Sequence, residues 1–145
     1  MGKPTPNARV NYPFHLSIPT RWNDNDVYGH INNSVYYFFF DTVVNNWLME
    51  NGLLEIGQSE IIGLVVETGC SYFAPITYPE TVTAGLRVTN IGTSSVRYEI
   101  GIFGHDSDTA AAQGHFVHVY VDDKTRRPMP LSEHMRSKLG EIQHG

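Results

Sequence analysis

Ser34-Val35-Tyr36-Tyr37-Phe38-Phe39-Phe40-Asp41-Thr42-Val43-Val44-Asn45-Asn46-Trp47-Leu48-Met49-Glu50-Asn51, followed by Gly52, is the stretch that decides how the rest of the chain must fold. It reads as a helix. Asparagine ahead of it can cap free N–H groups, and Gly52 suits the left-handed position that ends many helices. At about 100° per residue, Tyr36, Tyr37, Phe40, Val43, Val44 and Trp47 form one broad apolar face. Val35, Phe39 and Thr42 carry that face further around, and only Ser34, Asp41 and Asn45 make a plainly polar stripe. Aromatic and β-branched residues are indifferent helix formers, so burial must supply most of the stability. The helix needs enclosing, with Phe40 and Trp47 in the core.

On its C-terminal side the pattern changes to a period of two, the signature of strands. In Ile62–Tyr72 the set Ile62, Leu64, Val66, Thr68, Cys70 is expected to share a face. Thr81–Ile91 alternates Val82, Ala84, Leu86, Val88 with Thr83, Gly85, Arg87, Thr89. Two further runs set Val96, Tyr98, Ile100, Ile102 against Arg97, Glu99, Gly101, Phe103, and Val117, Val119, Val121 against Phe116, His118, Tyr120. The connections Pro75–Pro79, Gly92–Ser94 and His105–Asp108 are short and suit an antiparallel meander. On the N-terminal side Phe14–Thr20 reads as an earlier strand, and Ser132–Ile142 as a short closing helix. One strand, a long buried helix and four antiparallel strands predict an α+β hotdog fold, with an antiparallel sheet of about five strands curled around the helix.

With 145 residues and 41% hydrophobic composition, the chain is sized for one domain, 1–145. A net charge of −5 without a basic stripe argues against nucleic acid as a partner. No run approaches the roughly 20 apolar residues of a membrane span. The polar opening Met1–Asn7 has no secretory-type apolar segment, so a cytoplasmic protein is expected. The single cysteine, Cys70, reads as a small buried hydrophobe, not a catalytic thiol.

Chemistry concentrates between the first strand and the helix, in Thr20-Arg21-Trp22-Asn23-Asp24-Asn25-Asp26-Val27-Tyr28-Gly29-His30-Ile31-Asn32-Asn33. A helix N-terminus exposes unpaired N–H groups and partial positive charge that can stabilise a developing oxyanion. A carboxylate beside such donors can attack an acyl carbon, or activate a water to do so. Plainer roles exist for each residue: Asn32 and Asn33 as caps, Gly29 as a turn glycine, His30 as a surface histidine, and Asp24 as a loop acid paired with Arg21.

Arg21-Trp22-x-Asp24-x-Asp26-x-x-Gly29-His30-x-Asn32-Asn33-x-x-Tyr36 resembles the signature of the 4-hydroxybenzoyl-CoA thioesterase-like acyl-CoA thioesterases. Weaker similarity continues through Tyr72-Phe73-x-Pro75, Pro79-Glu80 and Ile91-Gly92-x-Ser94-Ser95-Val96-Arg97. The resemblance implies hydrolysis of an acyl thioester, carried by coenzyme A or an acyl-carrier protein, with Asp26 as nucleophile or general base. It also implies a homodimer or homotetramer with shared sites, and no metal or redox cofactor. His30 and Asn33 are then the other catalytic candidates, with backbone N–H groups near His30 and Ile31 polarising the thioester carbonyl. Tyr28 and Gly29 would line the site, and Gly63 and Glu67 would face a partner's pocket. Where relatives place basic residues for coenzyme A phosphates, this chain has Gly92-Thr93-Ser94-Ser95, leaving Ser94, Ser95 and Arg97 as the candidate contacts.

Two alternatives keep the same fold: a noncatalytic acyl-thioester-binding protein, and a hydratase or dehydratase. Retained Asp26 favours hydrolysis over binding alone, and the Gly-His-x-Asn-Asn spacing favours it over hydration. A metal is not expected. His115 and His118, three apart in a strand, should project to opposite faces.

Overall fold

Helix α1 spans Val35–Glu50 in the computed structural model, which describes residues 4–144; Met1, Gly2 and Lys3 of the polar opening lie outside the described residues. The helix ends as its sequence predicts. Gly52 takes φ 69°, its N–H donates to the Met49 carbonyl at 3.1 Å, and the Leu53 N–H returns to the Leu48 carbonyl at 2.8 Å. The start is capped by Asn32, whose Oδ1 accepts from the Ser34 N–H at 3.0 Å and the Ser34 hydroxyl at 2.9 Å. Val35, Tyr36, Phe39, Phe40, Val43, Val44, Trp47 and Leu48 are buried. Enclosure is incomplete, since Phe38 is 65% exposed and Thr42 and Met49 also face out.

Five strands form one antiparallel sheet: β1 (Phe14–Pro19), β2 (Ile61–Tyr72), β3 (Thr81–Ile91), β4 (Ser95–Phe103) and β5 (Ala112–Asp122). The order β1-β3-β4-β5-β2 corrects the expected meander. Only β3, β4 and β5 follow one another in space. β1 occupies the free edge of β3, pairing Phe14 with Leu86, so β2 lies at the far edge against β5 and the Phe73–Glu80 connection crosses the end of the sheet. Ser132 accepts from the Met135 N–H at 3.1 Å and starts α2 (Glu133–Glu141), whose Met135 and Leu139 close the core.

One face assignment also needs correcting. In β2 the register slips between Val65 and Glu67, leaving Val66 as an extra residue. Such a bulge reverses the alternation beyond it. Ile62 and Leu64 therefore share a face with Glu67, while Thr68 and Cys70 turn with Gly63 and Val65 toward α1. In β5 the buried face is Phe116, His118 and Tyr120, and the outward residues are Val117 and Val119. The aromatic and histidine side chains face inward because α1 presents rings there: Phe40 meets Phe116 edge-on at 5.7 Å.

His118 is the one buried histidine among the described residues, 4% exposed, with Nδ1 3.4 Å from the Tyr120 hydroxyl, which in turn bonds the Tyr98 hydroxyl at 2.7 Å. Its Nε2 has no partner among the described residues. Burial pushes the imidazole from 6.5 down to about 4, so the folded state favours the neutral ring. Stability from this group is therefore complete above the unfolded value and is lost as the pH falls toward 4. The loss between pH 7.5 and pH 4 is about 3 kcal/mol. Urea melts of the wild type and His118→Phe at both pH values should differ by that amount in their acid sensitivity. Equal sensitivity would assign the effect elsewhere.

Candidate active site

The loop ahead of α1 is built by its own short-range bonds. Arg21 donates its N–H to Asp24 at 2.8 Å and its guanidinium at 3.1 and 2.8 Å, fixing a short helical turn at Trp22–Asp24. Asp24 is only 2% exposed, and its carbonyl accepts from the Asn32 N–H at 2.8 Å. It is a structural acid, as the pairing with Arg21 suggests. Next, Asn25 and Ile31 form a single antiparallel bridge, and the chain between them reverses in a tight turn. Gly29 makes the turn possible by taking φ 81°, with its N–H donating to the Asp26 carbonyl at 3.1 Å.

Asp26 stands at the base of that turn. Its N–H donates to the His30 carbonyl at 2.8 Å, and its Oδ1 accepts from the Tyr28 N–H at 2.8 Å. Among the described residues its Oδ2 carries no hydrogen bond, so the carboxylate is aimed by one oxygen and free at the other. The N–H groups of His30 and Asn33 are likewise without acceptors among the described residues. Ile31 is different, and here the expectation is corrected. Ile31 is 5% exposed and its N–H donates to the Ile76 carbonyl at 2.7 Å, so it is unavailable as an oxyanion donor. Its role is to anchor the turn to the Phe73–Glu80 crossover, helped by Asn25, whose Oδ1 accepts from the Tyr78 N–H at 3.1 Å.

Asp26, Tyr28, Gly29, His30 and Asn33 thus share one loop at the N-terminal end of α1. The single chain leaves them open on one side: Val27 is 93% and Tyr28 82% exposed. The other candidates lie elsewhere. Ser94, Ser95 and Arg97 sit at the opposite end of the sheet, a strand length of roughly 30 Å away. There the Ser94 carbonyl accepts from the Tyr120 N–H at 2.8 Å, and Arg97 is held by Glu99 at 3.0 Å beside the Arg87–Glu99 pair at 2.8 Å. The two arginines hold the Glu99 carboxyl below its usual range against the opposing effect of burial. Gly63 and Glu67 do not share a face: Gly63 is pressed against His118 and Tyr120, while Glu67 points outward to His115 at 2.9 Å. His115 and His118 face opposite sides of the sheet, as their spacing predicts.

Tyr72 enters the sequence reasoning only as part of the weaker similarity at Tyr72-Phe73-x-Pro75, with no role attached to it. Its hydroxyl donates to the Asn33 carbonyl at 2.8 Å across 39 residues of sequence, tying the end of β2 to the start of α1. No local pattern announces such a contact. Cys70, two residues earlier, is half-buried, and burial pushes its thiol up to about 11, which removes it as a nucleophile.

A five-stranded antiparallel sheet curled over one long helix, with an acid and free N–H groups at that helix's N-terminus, defines a hotdog protein. The chain belongs to the thioesterase-like superfamily, whose family model matches residues 20–139. Among solved structures it is similar to the PA5185 protein from Pseudomonas aeruginosa strain PAO1, at 45% identity and a TM-score of 0.94, over 97% of this chain and 99% of that one. It is also similar to a thioesterase complexed with coenzyme A and Zn from Thermus thermophilus, at 26% identity and a TM-score of 0.76, over 92% and 96%. A 1,4-dihydroxy-2-naphthoyl-CoA thioesterase from Synechocystis shares the fold at 17% identity and a TM-score of 0.80, over 91% and 98%. No curated protein matches the chain. Among the described residues, no helix is long and apolar enough to cross a membrane.

Proposed function

We propose that this chain is a cytoplasmic acyl-CoA thioesterase, working as one hotdog domain over residues 1–145 and releasing a carboxylic acid and a free thiol. The observation that carries this reading is the Asp26 carboxylate, pinned at Oδ1 and free at Oδ2 beside unbonded N–H groups, in a chain of the thioesterase-like superfamily. The thioester oxygen rests at the His30 N–H and the positive end of α1, which stabilise the oxyanion as the carbonyl carbon becomes tetrahedral. Either Asp26 Oδ2 attacks that carbon and expels the thiolate, leaving a mixed anhydride that water then hydrolyses to the acid and free Asp26, or Asp26 takes the proton of a water that attacks the carbon, and collapse of the tetrahedral adduct expels the thiolate, which picks up that proton. Asn33 orients the water or the carboxylate, and His30 and Tyr28 shape the site. Coenzyme A is favoured as carrier over an acyl-carrier protein because the Thermus thermophilus relative is complexed with it. A lone half-buried thiol suits a reducing compartment. A panel of acyl-CoA substrates with free-thiol detection tests the reading. Hydration without thiol release, or binding without either, would replace it.

The working unit is a homodimer. The outer edge of β2 carries Ile61, Leu64, Val65, Val66 and Tyr72 at 37–60% exposure, an apolar strand with unpaired backbone groups. Such an edge invites a second copy. The other edge, β1, is only six residues long and ends in Pro19. Light scattering at micromolar concentration should give a mass of at least two chains, and Val66→Lys should lower it. A one-chain mass for the wild type counts against the dimer.

A further inference from the structure

On the thioesterase reading above, we infer that Tyr72 is a positioning residue for the hydrolysis, acting through Asn33 at the entrance to α1. Its hydroxyl donates to the Asn33 carbonyl at 2.8 Å, and among the described residues that carbonyl accepts from nothing else. The other side of the same peptide is also held. The Ser34 N–H donates to Asn32 Oδ1 at 3.0 Å, so the peptide between Asn33 and Ser34 is bonded at both its oxygen and its nitrogen. A planar unit held at two points has little freedom to turn. The direction in which the Asn33 side chain leaves the backbone is fixed with it, and Asn33 is the group proposed to orient the water or the Asp26 carboxylate.

The phenol is itself held firmly. Its ring lies edge-on to buried Tyr36 in the first turn of α1, with 5.2 Å between centroids. Its backbone pairs with Ala112 of β5, and the next two N–H groups, of Phe73 and Ala74, donate to the Ala111 carbonyl at 2.7 and 3.1 Å. Tyr72 is thus a short rigid arm from the sheet. Burial first, then the Cys70 thiol and the neighbouring tyrosines, raise the phenol well above its usual range, so it stays protonated and donates at any working pH. The bonds that tie the loop to the crossover, Ile31 to Ile76 and Asn25 to Tyr78, reach no further along the chain than Ile31. From Asn32 to Ser34, Tyr72 supplies the one long-range hydrogen bond among the described residues. A single neutral hydrogen bond contributes little to folding, whereas a group misplaced by about 1 Å can cost as much as roughly 10²-fold in rate. The loss of this bond should therefore register in turnover before it registers in stability.

The test compares Tyr72→Phe with Thr68→Val in the full chain, on whichever of acetyl-, octanoyl-, benzoyl- and palmitoyl-CoA the wild type turns over fastest. Thr68→Val is the matched control, because Thr68 lies on the same strand and loses the same kind of bond, a hydroxyl donating to the His115 carbonyl at 2.8 Å. Tyr72→Phe keeps the ring against Tyr36 and the apolar edge of β2. It should lower kcat about tenfold or more while KM stays within about twofold, the pattern of an interaction expressed in the transition state. Thr68→Val should shift the melting temperature by a similar amount and leave kcat unchanged. On an Asn33→Ala background, Tyr72→Phe should lower kcat by no more than about a further twofold, because the side chain it positions is gone. Three results overturn the inference in an active wild type: kcat of Tyr72→Phe no lower than that of Thr68→Val, a raised KM at unchanged kcat, or the full loss repeated on Asn33→Ala. Wild type that releases no thiol from any of the four substrates overturns the thioesterase reading itself, and this inference with it.

Discussion

Asp26→Asn is expected to lower kcat for thioester hydrolysis by about 10²–10⁴-fold, the range a positioned general base contributes, while leaving folding and substrate binding intact. The amide keeps the shape of the carboxyl and can still accept from the Tyr28 N–H, so the turn survives. What it loses is the basic, nucleophilic oxygen at Oδ2. Asp24→Asn is the matched control, two residues away with the same formal charge. Asp24 is 2% exposed and accepts three bonds from Arg21, so its replacement should cost about 1–3 kcal/mol of stability, the scale of a buried charged hydrogen bond. Steady-state kinetics and melts on the two variants separate the roles. Loss of about tenfold or less for Asp26→Asn would make it merely supportive, and silenced hydrolysis in folded Asp24→Asn would reverse the assignment.

Those two acids show where the sequence is legible. Asp24 and Asp26 lie in a loop whose bonds are mostly short-range, so the pairing of Asp24 with Arg21 is legible from spacing, whereas the catalytic role proposed for Asp26 comes from the family resemblance and not from spacing. Spacing is equally legible in α1, where Asn32 and Gly52 act over a few residues and the apolar face is periodic. Long-range facts are hidden. Nothing in Ile61–Tyr72 says that β2 lies against β5, because an apolar strand fits either neighbour and β1 decides by taking the other edge. The Val66 bulge then defeats face assignment by alternation. Ile31 shows the same limit at the site itself: its N–H looks available until the Ile76 carbonyl, 2.7 Å away on the crossover, is placed.

Phe40→Ala should be the most damaging single change to the core. Phe40 is fully buried at the middle of α1, edge-on to Tyr37 at 5.6 Å and to Phe116 at 5.7 Å, so truncation removes ring contacts on two sides. The expected cost is about 3–5 kcal/mol, or about 10–16 °C in Tm for a chain of this size. Trp47→Ala, at 3% exposure, belongs in the same range. Phe38→Ala makes the comparison decisive: it lies two residues away on the same helix at 65% exposure and should shift stability by less than about 0.5 kcal/mol. Because the loop proposed to carry the chemistry is fixed by Asn32, Asp24 and Ile76 and not by the Phe40 ring, folded Phe40→Ala should keep its kcat below its own melting range. Melts unchanged by Phe40→Ala and Trp47→Ala would mean that the sheet does not enclose the helix. A Phe40→Ala protein that is folded but inactive would mean that the packing of α1, and not the loop alone, sets the geometry around Asp26.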